Sequence, residues 1–219
     1  VLFRSNAGLH FAFFGGTALR LLYFICSAAG TMLIACGVVK FTSKRRTKAH
    51  STAAERFYNF VDRMNVAAIA GSMVACVAYF WALRLLPFDL PSSGGGYYGG
   101  VFSTIRAMPL AQATRPDWEL YVFYVAWAAA AAHALCRSPK KAWIEQLSLT
   151  AILCVALPVA GYLVPNSGLF AMIAASDWIT ASVDLSSVAI GLLIAWSTWK
   201  VSGARLSNFL PIAKLSAAE

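Results

Sequence analysis

The stretch NVAAIAGSMVACVAYFWALRLLP, residues 65–87, decides the fold of this chain. Twenty residues separate Arg63 from Arg84, and none of them is charged. That is about the length an α-helix needs to cross a bilayer. The run closes on tryptophan, arginine and proline, the aromatic and basic anchor of a membrane interface.

Similar runs recur on both sides of it. Five spans are expected, near 17–39, 64–86, 118–136, 143–164 and 180–199. The composition agrees: of 219 residues, 59% are hydrophobic and 12% charged, with mean hydropathy +0.65. A soluble domain would carry about a quarter of its residues charged. The expected fold is a single all-α, polytopic transmembrane helix bundle covering residues 1–219.

The net charge of +9 raises the question of nucleic acid, and the placement of the charges answers it. Thirteen of the eighteen basic residues fall on one side of the predicted spans. They are Lys40, Lys44, Arg45, Arg46, Lys48, Arg56 and Arg63 in the first loop, Arg137, Lys140 and Lys141 in the next, and Lys200, Arg205 and Lys214 after the last span. The other side holds Arg4, Arg20, Arg84, Arg106 and Arg115. Basic loops stay in the cytoplasm, so the N-terminus is expected outside and the C-terminus inside. Residues 40–63 then form a cytoplasmic loop with an amphipathic helix over 53–63, and residues 87–117 an external, periplasmic one. Topology accounts for the charge, and no nucleic-acid partner is expected.

Cys26, Cys36, Cys76, Cys136 and Cys154 all fall in or at the ends of apolar spans without a CxxC pair. They read as small buried hydrophobes, not as a disulfide framework or a zinc site. The start, VLFRSNAGLHFAFF, lacks the basic-then-apolar pattern of a cleavable signal. A chain beginning on the outer side without an initiator methionine is expected to be the C-terminal part of a longer protein, with a preceding span missing.

In the external loop, GGGYYGG (94–100) lacks the lysine and helix start of a phosphate loop and reads as a linker. RPDW at 115–118 carries a helix-start signal, with proline and acid in the first turn. VPNSGLFAMIAASDW, between the last two spans, suggests a short interfacial helix.

Three histidines carry the chemistry. His50 lies in the polar basic loop and takes no role. His10 sits in GLHFAFFGG before the first span. His133 follows the alanine run 128–132, about 15 residues into a helix that enters at Trp118, or roughly 22 Å down. It either bonds a neighbouring helix or ligates a metal, because an ionisable group inside a membrane marks a function by default. The alanines leave room beside it for a flat macrocycle or for a close-packed helix. His10 and His133 lie near opposite faces and cannot share one iron, so as ligands they imply two haems whose other ligands lie elsewhere. Arg20 either snorkels outward or pairs with a haem propionate. Asp184, with Ser182, Ser186 and Ser187, reads as an interfacial acid bonded to serines, with a proton path or ion site as the alternative.

GLHFAFFGGTALRLLYFICSAAGTMLIACGVVKFTSKRR, FVDRMNVAAIAGSMVACVAYFWALRLLP and WELYVFYVAWAAAAAHALCRSPKKAWIEQL, in that order, resemble the PepSY-associated transmembrane proteins, also called iron-regulated membrane proteins. The resemblance covers most of residues 8–165 and implies a bacterial inner-membrane protein similar to ferric-siderophore reductases. An N-terminal helix and a periplasmic PepSY region would precede the part seen here. The resemblance further implies b-type haems, two in the intact protein, with His10 and His133 matching the family's histidine positions. The expected substrate is a ferric siderophore outside, and the expected enzyme class a membrane ferric-chelate reductase fed by an unidentified electron donor. Two alternatives stand beside it: a permease component for a siderophore or small solute, or a membrane anchor or regulator for a periplasmic PepSY region.

Overall fold

The computed structural model describes residues 16–48, 51–86, 114–163 and 168–215. Among these residues the chain forms six helices and no strand. They are α1 (Thr17–Arg46), α2 (Thr52–Leu85), α3 (Arg115–Cys136), α4 (Pro139–Gly161), α5 (Leu169–Ala174) and α6 (Trp178–Leu215). All but α5 contain a segment long and apolar enough to cross a membrane. The expected all-α bundle with five spans is what the chain forms.

Three helices outrun their spans, and α6 is one of them, running on to Leu215 past a span that ends at Lys200. The polar stretch 40–63 is not a loop carrying a separate helix: α1 continues to Arg46, and α2 begins at Thr52 and runs unbroken to Leu85. Hydropathy marks only the part of a helix that lipid covers. Lys, Arg, Ala and Glu favour helix as strongly in water as leucine does, so the backbone continues past the apolar segment.

The chain divides into two compact units, Val1–Asp62 and Arg63–Glu219. In the first, Arg46 at the end of α1 pairs with Asp62 on α2 at 2.6 Å. The Arg45 guanidinium lies 5.2 Å from the Phe41 ring centroid. None of α1's most apolar window is buried, so Leu21, Phe24, Met32 and Leu33 all face outward.

In the second unit α2, α3, α4 and α6 run alternately up and down. One end carries Arg63, His133, Arg137 and Glu145; the opposite end carries Arg84, Arg115 and Asp184. We call these the basic end and the far end. The helices start where short-range chemistry places them. Asp117 accepts hydrogen bonds from the Thr114 backbone N–H (2.9 Å) and hydroxyl (2.6 Å), fixing the first turn of α3. Ser138 precedes Pro139 at the first position of α4, where a missing N–H costs nothing. Asp177 starts α6 by accepting from the Thr180 hydroxyl at 2.7 Å and the Thr180 N–H at 3.3 Å.

The core of this unit is built from small side chains. Val66, Ala67 and Ala70 of α2 pack with Ala134 of α3 and Ala142 of α4. In lipid, helix association gains little from the hydrophobic effect and depends on close backbone approach. α6 packs chiefly on α4, through Ala181, Asp184, Gly191 and Thr198 on its buried face. Four of the five cysteines, Cys26, Cys36, Cys76 and Cys136, are exposed on the chain's own surface. Only Cys154 is the small buried residue the sequence suggested.

Pro158 lies inside α4 and supplies no N–H to the carbonyl of Cys154, four residues earlier. A bare carbonyl in hydrocarbon costs several kcal/mol, so another helix must satisfy it. Ser187 of α6 does so in part, its single hydroxyl proton being shared between Cys154 O at 3.2 Å and Asp184 O at 2.8 Å. One residue earlier, Leu153 O accepts from the Trp81 indole N–H of α2 at 3.0 Å. The proline-loosened turn of α4 is thus bonded to both neighbours.

The turn between α5 and α6 contains one strained residue, Ser176, at φ 57°. A left-handed serine costs of order 1 kcal/mol relative to glycine. Ser176→Gly is therefore expected to stabilise the protein by about 1 kcal/mol, read as a higher unfolding midpoint in detergent.

Candidate functional site

The second unit holds two polar clusters, one at each end. At the basic end His133 sits in the last turn of α3, its backbone carbonyl accepting from Arg137 N–H at 3.1 Å. Its Nε2 lies 2.9 Å from a carboxylate oxygen of Glu145 on α4, and its Nδ1 lies 3.3 Å from Nε2 of Gln146. The Gln146 amide also donates to Ala130 O at 2.7 Å, which orients it with nitrogen toward the histidine. Nδ1 thus faces the amide nitrogen, and Nε2 lies at ion-pair distance from the Glu145 carboxylate without a hydrogen bond to its Oε2. Arg137 approaches the same Glu145 oxygen at 3.3 Å. Arg63 reaches across from α2 to cap α3, donating to Leu135 O at 2.8 Å.

Both nitrogens of His133 are therefore engaged. An axial haem ligand needs one ring nitrogen bare toward iron, with the other donating to an acceptor. Here one nitrogen faces a carboxylate and the other an amide nitrogen, so ligation would require the imidazole to turn from one of them. Of the alanines above it, Ala128, Ala129 and Ala132 are exposed on the helix surface. Ala130 and Ala134 are buried, and the Ala130 Cβ lies 3.4 Å from where a Cβ on Gly71 would stand. The buried side of the alanine run packs closely against α2. Among the described residues no group of three or more His, Cys, Asp or Glu could hold a metal ion. His10, His50 and the loop 88–114 lie outside the described residues. Arg20 is in the first turn of α1, exposed.

At the far end Asp184 is fully buried, with 0% of its side chain exposed, and forms an ion pair with Arg84. The Arg84 side chain is itself 14% exposed. The pair joins α2 to α6 across 100 residues of chain. Asp184 is thus paired with an arginine on another helix, whereas two of the serines near it bond backbone oxygens. Ser187 donates to backbone oxygens, those of Cys154 and of Asp184 itself, and Ser186 to Val183 O. Next to the pair, Arg115 of α3 donates to Leu83 O at 2.7 Å and faces Glu119 at 3.3 Å. Glu119, also buried, accepts from the Tyr79 hydroxyl at 3.5 Å.

Sequence reasoning named Asp184 but missed its partner. The signal available was modest: Asp184 is the only charged residue between Asp177 and Lys200, and Arg84 is the first after twenty uncharged positions. Each unsolvated charge implied the other. Glu145, the only acid between Glu119 and Asp177, was the corresponding signal for His133.

Fold and clusters together define a multi-pass, all-helical membrane protein. No family model, curated protein or solved structure matches the chain.

Proposed function

We propose that the chain is the membrane-embedded part of a bacterial inner-membrane electron-transfer protein that serves reduction of ferric chelates outside the membrane. The observation that supports this reading is the run GLHFAFFGG joined to a helix-borne His133, set in a five-span bundle whose basic residues gather on one side. That charge asymmetry supports an outward GLHFAFFGG stretch, on the side where a ferric siderophore would arrive. Hard oxygen donors hold Fe(III) better than Fe(II), so reduction weakens the chelate.

A b-type haem, when bound, would supply one-electron transfer through the bilayer. His133 stands between the end of α3 and the start of α4, beside Glu145 and Gln146, and in this reading it links the two helices. A haem held by this chain would rest on His10, with Arg20, ten residues further along, available to a propionate.

The visible spectrum and haem-to-protein ratio of the purified intact protein test this. Wild type is expected to show a reduced b-type band that His10→Ala diminishes. His133→Ala is expected to leave the haem content unchanged and to cost about 1 kcal/mol of stability through the lost interhelical bonds. Haem loss in His133→Ala would show that the imidazole leaves Glu145 for iron. A wild-type protein without haem would end the electron-transfer reading.

A second reading has an observation of its own. The buried Arg84–Asp184 pair lies among membrane-spanning helices, where ionisable groups mark paths for ions or substrates. It supports a permease component for a small solute.

A further inference from the structure

The Arg84–Asp184 pair is built incompletely for a structural tie. A buried ion pair offsets its desolvation only when the remaining N–H groups and lone pairs are also bonded. Here the second carboxylate oxygen, Oδ2, meets no donor among the described residues, and Nη1 of Arg84 meets no acceptor. Asp184 is 0% exposed, so Oδ2 is turned into the bundle rather than toward lipid.

The surroundings set what this oxygen can receive. At this end the charged or titratable side chains among the described residues include Tyr79 and Arg84 on α2, Arg115, Asp117 and Glu119 on α3, Cys154 on α4, and Asp177 before α6; Asp117 is bonded to Thr114. Arg115 is engaged with Glu119 and Leu83 O, and Glu119 with Arg115 and Tyr79. Cys154 is buried and presents a neutral thiol-bearing residue rather than a cation. Among the described residues Arg84 is therefore the one cation bonded to Asp184, by a single oxygen.

We propose that Asp184 is a proton-binding site and that taking up a proton on Oδ2 releases Arg84, opening the contact between α2 and α6 at the far end. A proton from the aqueous phase bonds to Oδ2, and the carboxylate becomes a neutral acid. Arg84 keeps its charge and loses its counter-ion. It stands in the last turn of α2, two residues before Leu86, so its long side chain reaches the interface by snorkelling. Asp184 lies four residues inside Thr180, about 6 Å from the end of the span. Both groups are shallow enough for water to deliver the proton, yet buried enough for the neutral acid to be favoured once alone. The inference concerns side chains apart from His10 and His133, and it stands whether the chain carries electrons or a solute.

Infrared difference spectra of the full chain in lipid nanodiscs, recorded as the pH falls from neutral to mildly acidic, test it. The expected result is a protonated-carboxyl carbonyl band worth one group per chain, absent from Asp184→Asn. Labelling with a membrane-soluble carbodiimide, which attacks protonated carboxyls, should modify Asp184 increasingly as the pH falls. Arg84→Gln should raise that labelling several-fold at neutral pH, because the acid then has no cation to hold its charge. If Asp184→Asn fails to fold, the Arg84→Leu, Asp184→Leu double variant serves as the band-free control. A spectrum with no band assignable to Asp184 and no labelling in either wild type or Arg84→Gln would establish a fixed ion pair. A band present at every pH would establish a permanently neutral acid. Either overturns the proposal.

Discussion

Gly191→Leu is expected to separate α6 from α4 and to cost more than any other single glycine substitution in the chain's described core. A Cβ built on Gly191 would stand 2.9 Å from Cys154 Cβ, 2.9 Å from Val155 Cγ2 and 3.0 Å from the carbonyl oxygen of Ala151. The last of these is backbone and cannot rotate away. Even Gly191→Ala therefore requires the two helices to shift, and overpacking of this kind typically costs about 1–3 kcal/mol. Leucine should exceed that range. It should also break the Ser187 bond to Cys154 O, which lies one turn along the same seam. Gly71→Ala supplies the contrast. Its Cβ would meet Ala130 Cβ at 3.4 Å, Trp127 Cδ1 at 3.5 Å and Gln146 Oε1 at 3.7 Å, all ordinary contact distances. Alanine is a better helix former than glycine by roughly 1 kcal/mol, so Gly71→Ala should be neutral or stabilising. Unfolding of both variants in one detergent would check the pair. Equal losses at the two sites would show that α4 and α6 do not approach as closely as their backbones indicate.

That contrast also shows where reading the chain as a string of residues stops. The five spans were legible because an apolar run of about twenty residues has one stable form in lipid. The start of α3 at Arg115 was legible in RPDW, since its proline and acid act within a single turn. The true length of α1 and α2 was not, because the helix continues where hydropathy falls away. Gly71 and Gly191 look alike in sequence, and only the neighbouring helix distinguishes them. The candidate sites divide in the same manner. His133 was visible as an isolated imidazole, but its partners Glu145 and Gln146 lie 12 and 13 residues away and their side of the helix depends on the turn at Ser138. Asp184 was visible as a lone acid beside serines, which suggested local bonds. The partner it has, Arg84, is set by the packing of α2 against α6, a long-range property that no local pattern records.

The same pair yields the other large effect, and an asymmetric one. Arg84→Leu leaves a carboxylate with 0% exposure and no cation, whereas Asp184→Leu leaves an arginine in the last turn of its helix. The arginine can extend its head to the interface while its stem stays in the apolar region. The carboxylate is short and cannot. Breaking a buried pair from one side typically costs about 3–5 kcal/mol, and Arg84→Leu belongs in that range unless the acid takes up a proton, which lowers the cost. Asp184→Leu should cost less, about 1–2 kcal/mol, for the lost tie between α2 and α6. The double variant should recover much of the Arg84→Leu loss, because two leucines remove both desolvation costs and fill similar volume. Unfolding of wild type, both single variants and the double variant in the same micelle gives the coupling energy directly. Losses that simply add would mean that Arg84 and Asp184 do not act on one another, and the far end of the bundle would have to be held by Arg115, Glu119 and Tyr79 instead.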